Sequence, residues 1–461
     1  MKKIFYVVFV SSGFIVLSLL GNANAANAQT GNANATSAQA NGTQKASDTL
    51  FPGATLQACV QYALKHYPLA QQAALDEQIT DRQVLVKLAD WYPQVGLNAS
   101  YQYNFQLPKA YFNGNYTNSG TTNTSTAGLG LTQNLFNRDV LLASRTKNDV
   151  RAQSRLSTVS NKIDITVNVS KAFYDVLLTQ QQIQVLNDDI ERLSRNLKDA
   201  YNQYQGGLVD KTDYKRATIS LNNSKAEKKN NQELLIAKYA VLKQLLGYTG
   251  KEMLTLSYDS VQMESEISID TTEAVDYNKR VEFQSLVIQK RLQQAELKYN
   301  KWSYLPNVSA VGAYNLNFLN NQFSQLYKRD FPNSYAGLQV SLPIFQGTKR
   351  VQNIRIAELQ LTRADWDITA QQSAINSQYE QSMAAYKSYL NNYFILRDNL
   401  QLAREVYNTI ELQYRSGIKT YLDLITAETD LRTAQFSYSN ALFQVLSSKL
   451  DVQKALGTIQ Y

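Results

Sequence analysis

Between Gln94 and Leu107 apolar and polar residues alternate. Val95, Leu97, Ala99, Tyr101, Tyr103, Phe105 and Leu107 hold one phase, and Gln94, Asn98, Ser100, Gln102, Asn104 and Gln106 hold the other. A period of two predicts a strand with one apolar and one polar face. The same phase recurs at Val308, Ala310, Gly312, Tyr314, Leu316 and Phe318, and in shorter form at Leu129 and Leu131 and at Leu338, Val340 and Leu342. Loops rich in Asn, Gly and Thr, Lys109–Ser125 and Asn320–Asn333, join each pair of strands. A strand of a soluble sandwich also alternates, but it usually stops near five or six residues. A strand of a membrane barrel needs about 9–11 residues, tilted, with tyrosines near the interfaces. Length and aromatic content favour the barrel.

Other stretches change period. From about Arg138 to Gln205, and again from about Gly347 to Gln413, the chain has no proline and is mostly Ala, Leu, Gln, Glu, Arg and Lys. These are good helix formers. Each run of roughly 65 residues predicts a helix close to 100 Å long at about 1.5 Å per residue. The apolar stripes are thin, as at Leu186, Ile190, Leu193 and Leu197, with Gln, Asn, Ser and Thr between them. A helix that packs sideways on neighbours and sees water on two faces has this pattern. A hollow wall of helices fits it; an extended soluble coiled coil is the alternative.

The elements come twice. YPQVGLNASYQYNF from Tyr92 aligns with LPNVSAVGAYNLNF from Leu305, and AGLGLTQNLF from Ala127 with AGLQVSLPIF from Ala336. QYQGGLVDKTDYKRA from Gln203 aligns with QYRSGIKTYLDLITA from Gln413, and both halves close on Leu-Gly, at Leu246-Gly247 and Leu456-Gly457. The offset stays close to 210, as from Gln203 to Gln413, which marks an internal duplication. Each half reads as helix, strand, loop, strand, long helix, turn, helix. The expected organisation is a first structural repeat over 51–250, an equatorial connector over 251–270 and a second repeat over 271–461.

The N-terminus reads as a secretory signal over 1–25. Lys2 and Lys3 precede an apolar run from Ile4 to Leu20, and Ala23-Asn24-Ala25 offers a cleavage site. A retained anchor is the alternative, because the run is near the lower limit for a span. Residues 26–50 are a low-complexity leader, too poor in large apolar groups to offset ordering entropy. No other stretch approaches the roughly 18 apolar residues of a membrane helix.

Composition excludes more than it adds. The net charge of +8 is spread along helical stretches and mixed with acids, with no dense basic arm for nucleic acid. The single Cys59 cannot form an internal disulfide and suits plain packing; the lone His66 has no partner pattern for a metal or a catalytic triad. No nucleophile motif, phosphate loop or cofactor fingerprint is present, so the chain reads as a non-enzyme without a cofactor.

Four strands cannot close a membrane barrel, and an open edge in hydrocarbon leaves backbone groups unpaired at several kcal/mol each. Known barrels start at about eight strands. Copies of the chain must therefore pool their strands, most economically with cyclic symmetry.

From about Thr55 to Gly457 the chain resembles the TolC family of outer-membrane efflux proteins. The most specific segment is YRSGIKTYLDLITAETDLRTAQFSYSNALFQVLSSKLDVQKALG, Tyr414 to Gly457, with GLVDKTDYKRA from Gly207 as its first-half counterpart. The resemblance implies a mixed fold: four barrel strands per chain, long α-helical hairpins, and a homotrimer with a twelve-stranded barrel and a helical tunnel across the periplasm. It also implies outer-membrane lipid around the barrel, and a periplasmic adaptor and an inner-membrane transporter as partners.

In such proteins the hairpin turns form an entrance that opens and shuts. The matching positions here are Thr212 and Asp213 in the first half, and Tyr414, Gly417, Lys419 and Asp423 in the second. Asp423 matches the first acidic ring of the family, whereas Thr426 stands at the second, which leaves the double ring incomplete. Lys419 stands where many relatives have arginine, so a bidentate fork becomes a point charge. Each aspartate also fits a helix cap or first-turn acid favoured by the dipole. The function expected is an export duct for small molecules or polypeptides. A structural or surface coiled-coil protein is the alternative. A general porin is disfavoured, since porins have many strands per chain and almost no long helices.

Overall fold

The structure, a computed structural model, describes residues 53–112, 114–207, 209–250, 254–257 and 260–461. The expected signal and leader lie outside these residues. Thr55 caps the first helix, α1 (Leu56–His66), by accepting from the Ala58 amide. Pro68 ends it, since a residue before proline is driven to extended geometry; Tyr67 is extended, and Pro68 then occupies the first turn of α2 (Pro68–Ala89).

Four strands form one antiparallel sheet in the order β1 (Gln94–Tyr103), β4 (Asn123–Phe136), β5 (Asn307–Asn320) and β6 (Asp330–Ser341). Each repeat supplies two strands, and β4 with β5 joins the repeats. Register carries the alternation across the sheet. Leu97 pairs with Leu129 and Leu129 with Tyr314; Ala310 pairs with Leu338 and Val308 with Val340. Directly paired residues share a face, so one side is apolar. The other is a polar lattice: Thr126 donates to Asn317 Oδ1 at 3.0 Å, and Asn317 Nδ2 donates to Asn333 Oδ1 at 3.4 Å. Gly128 serves that lattice, because a Cβ there would lie 1.9 Å from Asn315 Oδ1. Strands β1 and β6 are edges, exposed along their whole length.

The strand limits differ from the alternation. β1 stops at Tyr103, and Asn104 turns away with its amide on the Thr122 carbonyl. Phe105 lies outside the sheet with its ring edge-on to Tyr103. The first polar loop holds a small hairpin, β2 (Lys109–Phe112) with β3 (Asn115–Asn118), and the second a 3₁₀ segment, Phe323–Lys328.

Two helical hairpins follow the strands. In the first, α3 (Arg138–Gln205) returns through α4 (Lys211–Leu246); in the second, α7 (Lys349–Arg415) returns through α8 (Tyr421–Leu456). A short helix α5 (Ser260–Ser265) lies between the repeats, and helix α6 (Val281–Lys301) leads the second repeat into β5. Tyr386, Tyr393, Leu400, Tyr407 and Tyr414 are buried along α7 at intervals of seven. A seven-residue repeat keeps one seam facing its partner and imposes a left-handed supercoil. Their hydroxyls reach other elements: Tyr386 donates to the Ile267 carbonyl at 2.8 Å and Tyr414 to Gln203 Oε1 at 3.3 Å.

The duplication shows in how each hairpin ends. Gly247 and Gly457 are both left-handed helix caps, at φ 66° and 73°. A Cβ on Gly247 would lie 2.6 Å from the His66 carbonyl oxygen, and one on Gly457 2.7 Å from that of Lys279. Each repeat thus packs its first segment against the glycine that closes it. The main core sits at this level, with Cys59, Phe173, Leu246, Tyr386 and Leu446 among its buried residues. Burial pushes the Cys59 thiol up to about 12, so it packs as a small apolar group. His66 stacks on Tyr62 at 4.1 Å. Among the described residues, no helix is long and apolar enough to cross a membrane.

Candidate functional site at the hairpin turns

At the far end of the hairpins, two turns are built on one plan. In the first, Gly207 takes φ 70°, Asp210 caps α4, and Asp213 lies in the first turn. Asp210 Oδ1 accepts from the Thr212 amide at 3.0 Å and its hydroxyl at 3.2 Å. Those bonds hold the Asp210 carboxyl below its usual range. In the second, Gly417 takes φ 74°, and the Ile418 and Gly417 amides close on the Gln413 and Tyr414 carbonyls. That is a Schellman-type ending, which favours glycine at the left-handed position.

Thr420 and Asp423 form a reciprocal capping box. Asp423 N donates to Thr420 Oγ1 at 3.2 Å, and Thr420 N donates to Asp423 Oδ2 at 3.0 Å. Lys419 Nζ lies 3.9 Å from Asp423 Oδ1. The Thr420 bonds first, and Lys419 less, keep the Asp423 carboxyl below its usual range.

The six residues marked by the sequence therefore divide. Thr212 stays with its own cap, and Lys419 pairs with Asp423 in its own turn. Tyr414 is the residue that crosses between hairpins. It is buried, donates to Gln203 on α3, and has its ring 6.0 Å from that of Tyr421. Burial raises the Tyr414 hydroxyl first, with the charges of Asp199 and Asp213 adding to it. Asp213 thus faces Tyr414 without a direct bond. Thr426, at the place of the missing second acid, donates to the Leu422 carbonyl. It lines a groove of about 490 Å³ between α4 and α8, with Arg216, Ile219 and Asp430.

Sequence reading missed Asp210, Gln203, Thr420 and Tyr421. It also missed a charged cluster farther in, where Asp189, Arg192, Glu428 and Arg432 meet. A signal for the cluster was present. Asp189 and Asn196 fall on the same stripe as Leu186, Leu193 and Ala200, and Glu428 on that of Leu424 and Leu431. Charges at core positions of a thin stripe ask for partners.

Duplicated hairpins of about 100 Å, joined to a sheet that is apolar on one face, polar on the other and open at both edges, define a class: outer-membrane channels with a strand barrel and a helical tunnel. The chain belongs to the Outer membrane efflux protein family, whose pattern matches residues 59–248 and 278–458. It is similar to outer membrane protein TolC of Salmonella enteritidis, 20% identical over 416 residues, covering 89% of this chain and 83% of that protein. It is also similar to the probable efflux pump outer membrane protein TtgC of Pseudomonas putida, 22% identical over 421 residues, with 88% and 84% covered. Its fold matches the outer membrane protein VceC of Vibrio cholerae with a TM-score of 0.70 at 15% identity, covering 87% of this chain and 96% of that one. The MtrE outer membrane channel of Neisseria gonorrhoeae in its open state matches with a TM-score of 0.67 at 16% identity, with 88% and 91% covered. The protein is an outer-membrane efflux channel, and its family is one of channels rather than enzymes.

Proposed function

We propose that three copies of the chain assemble into one duct, in which β6 of each copy pairs with β1 of the next to close a twelve-stranded barrel. The observation that carries this is the pair of open edges: both strands are long and unpaired on one side, and both carry the apolar face of the sheet. Exposed edges of this kind are pairing sites, and hydrocarbon tolerates none. The apolar face would meet outer-membrane lipid and the polar lattice would line the lumen, while the hairpins reach into the periplasm.

The duct takes small molecules or polypeptides from an inner-membrane pump through a periplasmic adaptor and releases them outside the cell. Its entrance lies at the two turns, with Thr212, Asp213, Tyr414, Gly417, Lys419 and Asp423 around it. The chain itself is organised as repeats over 51–250 and 271–461 about a connector over 251–270. Mass measurement of the detergent-solubilised protein should give three chains per particle. A monodisperse monomer with native circular dichroism would contradict the assembly.

A further inference from the structure

About two helical turns inward from the start of α8, two carboxyls and two guanidiniums meet in a nearly dry junction of α3, α4 and α8. Asp189 and Glu428 are 1% and 2% exposed. Arg192 binds both, with Nη2 3.4 Å from Asp189 Oδ1 and Nε 3.2 Å from Glu428 Oε1. Arg432 Nη1 donates to Asp189 Oδ2 at 3.2 Å and to Ser224 Oγ at 2.6 Å. Ser224 donates to Asp189 Oδ2 at 2.7 Å, and Asn196 Nδ2 to Glu428 Oε2 at 3.0 Å. From α7, Tyr407 lies under Arg192, its ring centroid 5.7 Å from the guanidinium carbon. The hydroxyl of Tyr421 is buried with no hydrogen-bond partner among the described residues.

We propose that this cluster is a proton-responsive clamp that positions the second hairpin on the first and so sets how far the entrance opens. The proposal rests on the reading of the chain as a duct closed at its turns. Two further features support it. First, the cluster is electrostatically continuous with the entrance. The charges of Glu428 and Asp213 both bear on the Tyr421 hydroxyl, together with Tyr414, and those of Glu411 and Arg195 reach the cluster's Tyr407. Second, it lacks a counterpart. At the offset of 210 its residues become Asn399, Leu402, Thr218 and Asn222, none of them charged. These lie on α7 and α4. In a ring of copies that junction would fall between neighbouring chains, free to slip while the clamped one holds.

The direction of the response follows from Glu428. Burial first, then the charge of Asp189, raises its carboxyl from 4.5 to about 7, against the opposing pull of Arg192 and Asn196. If the clamp parts and water reaches the carboxyl, its affinity for protons falls back towards the ordinary value. A group with a higher pKa in the clamped arrangement favours that arrangement while protonated. The contribution is complete below the ordinary carboxyl pKa and is lost as pH rises through about 7. Acid therefore tightens the clamp and mild alkali loosens it. Between about pH 5.5 and pH 8 the open-to-closed ratio should rise by up to roughly thirty-fold per chain. Asp423 does not account for such a step, because its carboxyl is held low.

The test is single-channel conductance in planar bilayers across that pH range, for the wild type, Glu428→Gln and Asp189→Asn, each confirmed as an assembled particle. The wild type should step from a tight to an open level near neutrality. Glu428→Gln, which fixes the neutral form, should stay at the tight level throughout. Asp189→Asn should move the midpoint to lower pH. A step that survives Glu428→Gln, a step of opposite sign, or a midpoint unmoved by Asp189→Asn overturns the clamp. A conducting but pH-indifferent wild type also overturns it, and leaves the duct intact. A wild type that conducts at no pH counts against the duct. The clamp is then decided by infrared difference spectra of the Glu428 carboxyl against Glu428→Gln: a midpoint near neutrality supports it, and one in the ordinary carboxyl range overturns it.

Discussion

Helices α4 and α8 are each 36 residues long, each start from a capped turn, and each end on a left-handed glycine. Their burial differs sharply. α8 buries residues from Tyr421 through Leu456, because it lies against both α3 and α7. α4 buries Ala217, Leu221 and Ser224 near the turn and Leu242 and Leu246 at the far end, with none between. Its exposed Ile219, Leu234, Ile236 and Val241 have no cover within one chain. Two helices of common descent have therefore taken an inner and an outer place. The inner one carries charges that fasten it to the other repeat; the outer one leaves a mixed face exposed.

The largest effect that would break this contrast is at the buried cluster. Asp189→Ala removes the one carboxyl that binds both Arg192 and Arg432. Breaking a buried ion pair costs about 3–5 kcal/mol. Asn399→Ala, its exposed counterpart, should stay within about 0.5 kcal/mol. Denaturant unfolding of the solubilised protein checks both, and similar losses at the two sites would remove the asymmetry.

Next come the glycines. Alanine at Gly207 or Gly417 pays the left-handed penalty of about 1–2 kcal/mol, with open space around the new Cβ. Alanine at Gly247 or Gly457 adds a clash with a backbone carbonyl, so those variants should melt well below the turn variants. Equal melting temperatures would contradict the close packing of each repeat on its own end.

A smaller effect separates the caps. Thr420→Ala removes one side of the capping box and should cost about 1 kcal/mol at the start of α8. Asp423 and Asp210 both have lowered carboxyl pKa values. Their contribution is present above the unfolded carboxyl value and is lost as pH falls through the lowered one. Amide exchange at the first turns of α4 and α8 should stay protected at neutral pH and lose protection only below the ordinary carboxylate range. Loss of protection near neutral pH would place the caps elsewhere.

These residues also mark what the sequence could and could not reveal. The helix read as about Arg138 to Gln205 has those limits, with Asn137 as its cap, while the one read as about Gly347 to Gln413 runs from Lys349 to Arg415. Alternation around Val95 and Val308 located strands, since period two is a local signal. It did not fix their ends: β4 starts at Asn123 and β6 at Asp330, inside stretches too polar to show a phase. Pairing of β4 with β5 joins residues nearly two hundred apart and left no local trace. At the hairpin ends, the turns and their acids were visible from the repeat. The partner of Tyr414 was not, because Gln203 is chosen by packing between hairpins. Glu428 was missed for the same reason; its meaning appears only when α3 and α8 are side by side.

Asp423→Ala offers a finer probe of the two turns. In a trimer it removes three carboxylates from the proposed entrance, and Thr426 supplies no second ring. Block by multivalent cations from the periplasmic side should weaken, while Asp213→Ala should change it less. Equal effects would make the first turn as much a part of the constriction as the second.

The central claim is that the hairpin turns form the closable entrance of an outer-membrane duct. Tyr414 bonds across to Gln203 between the hairpins, while Lys419 and Asp423 make an exposed pair within their own turn, a kind of contact that contributes little. Repeated by symmetry, contacts this weak hold a duct shut and still yield to a partner that binds the open form better. Single-channel conductance of the double variant Tyr414→Phe, Lys419→Ala tests this most directly. The account predicts a conductance above that of the wild type in the same bilayer and salt. An unchanged conductance, from a particle of the same mass, would place the gate elsewhere and leave Asp213 and Asp423 as helix-start acids alone.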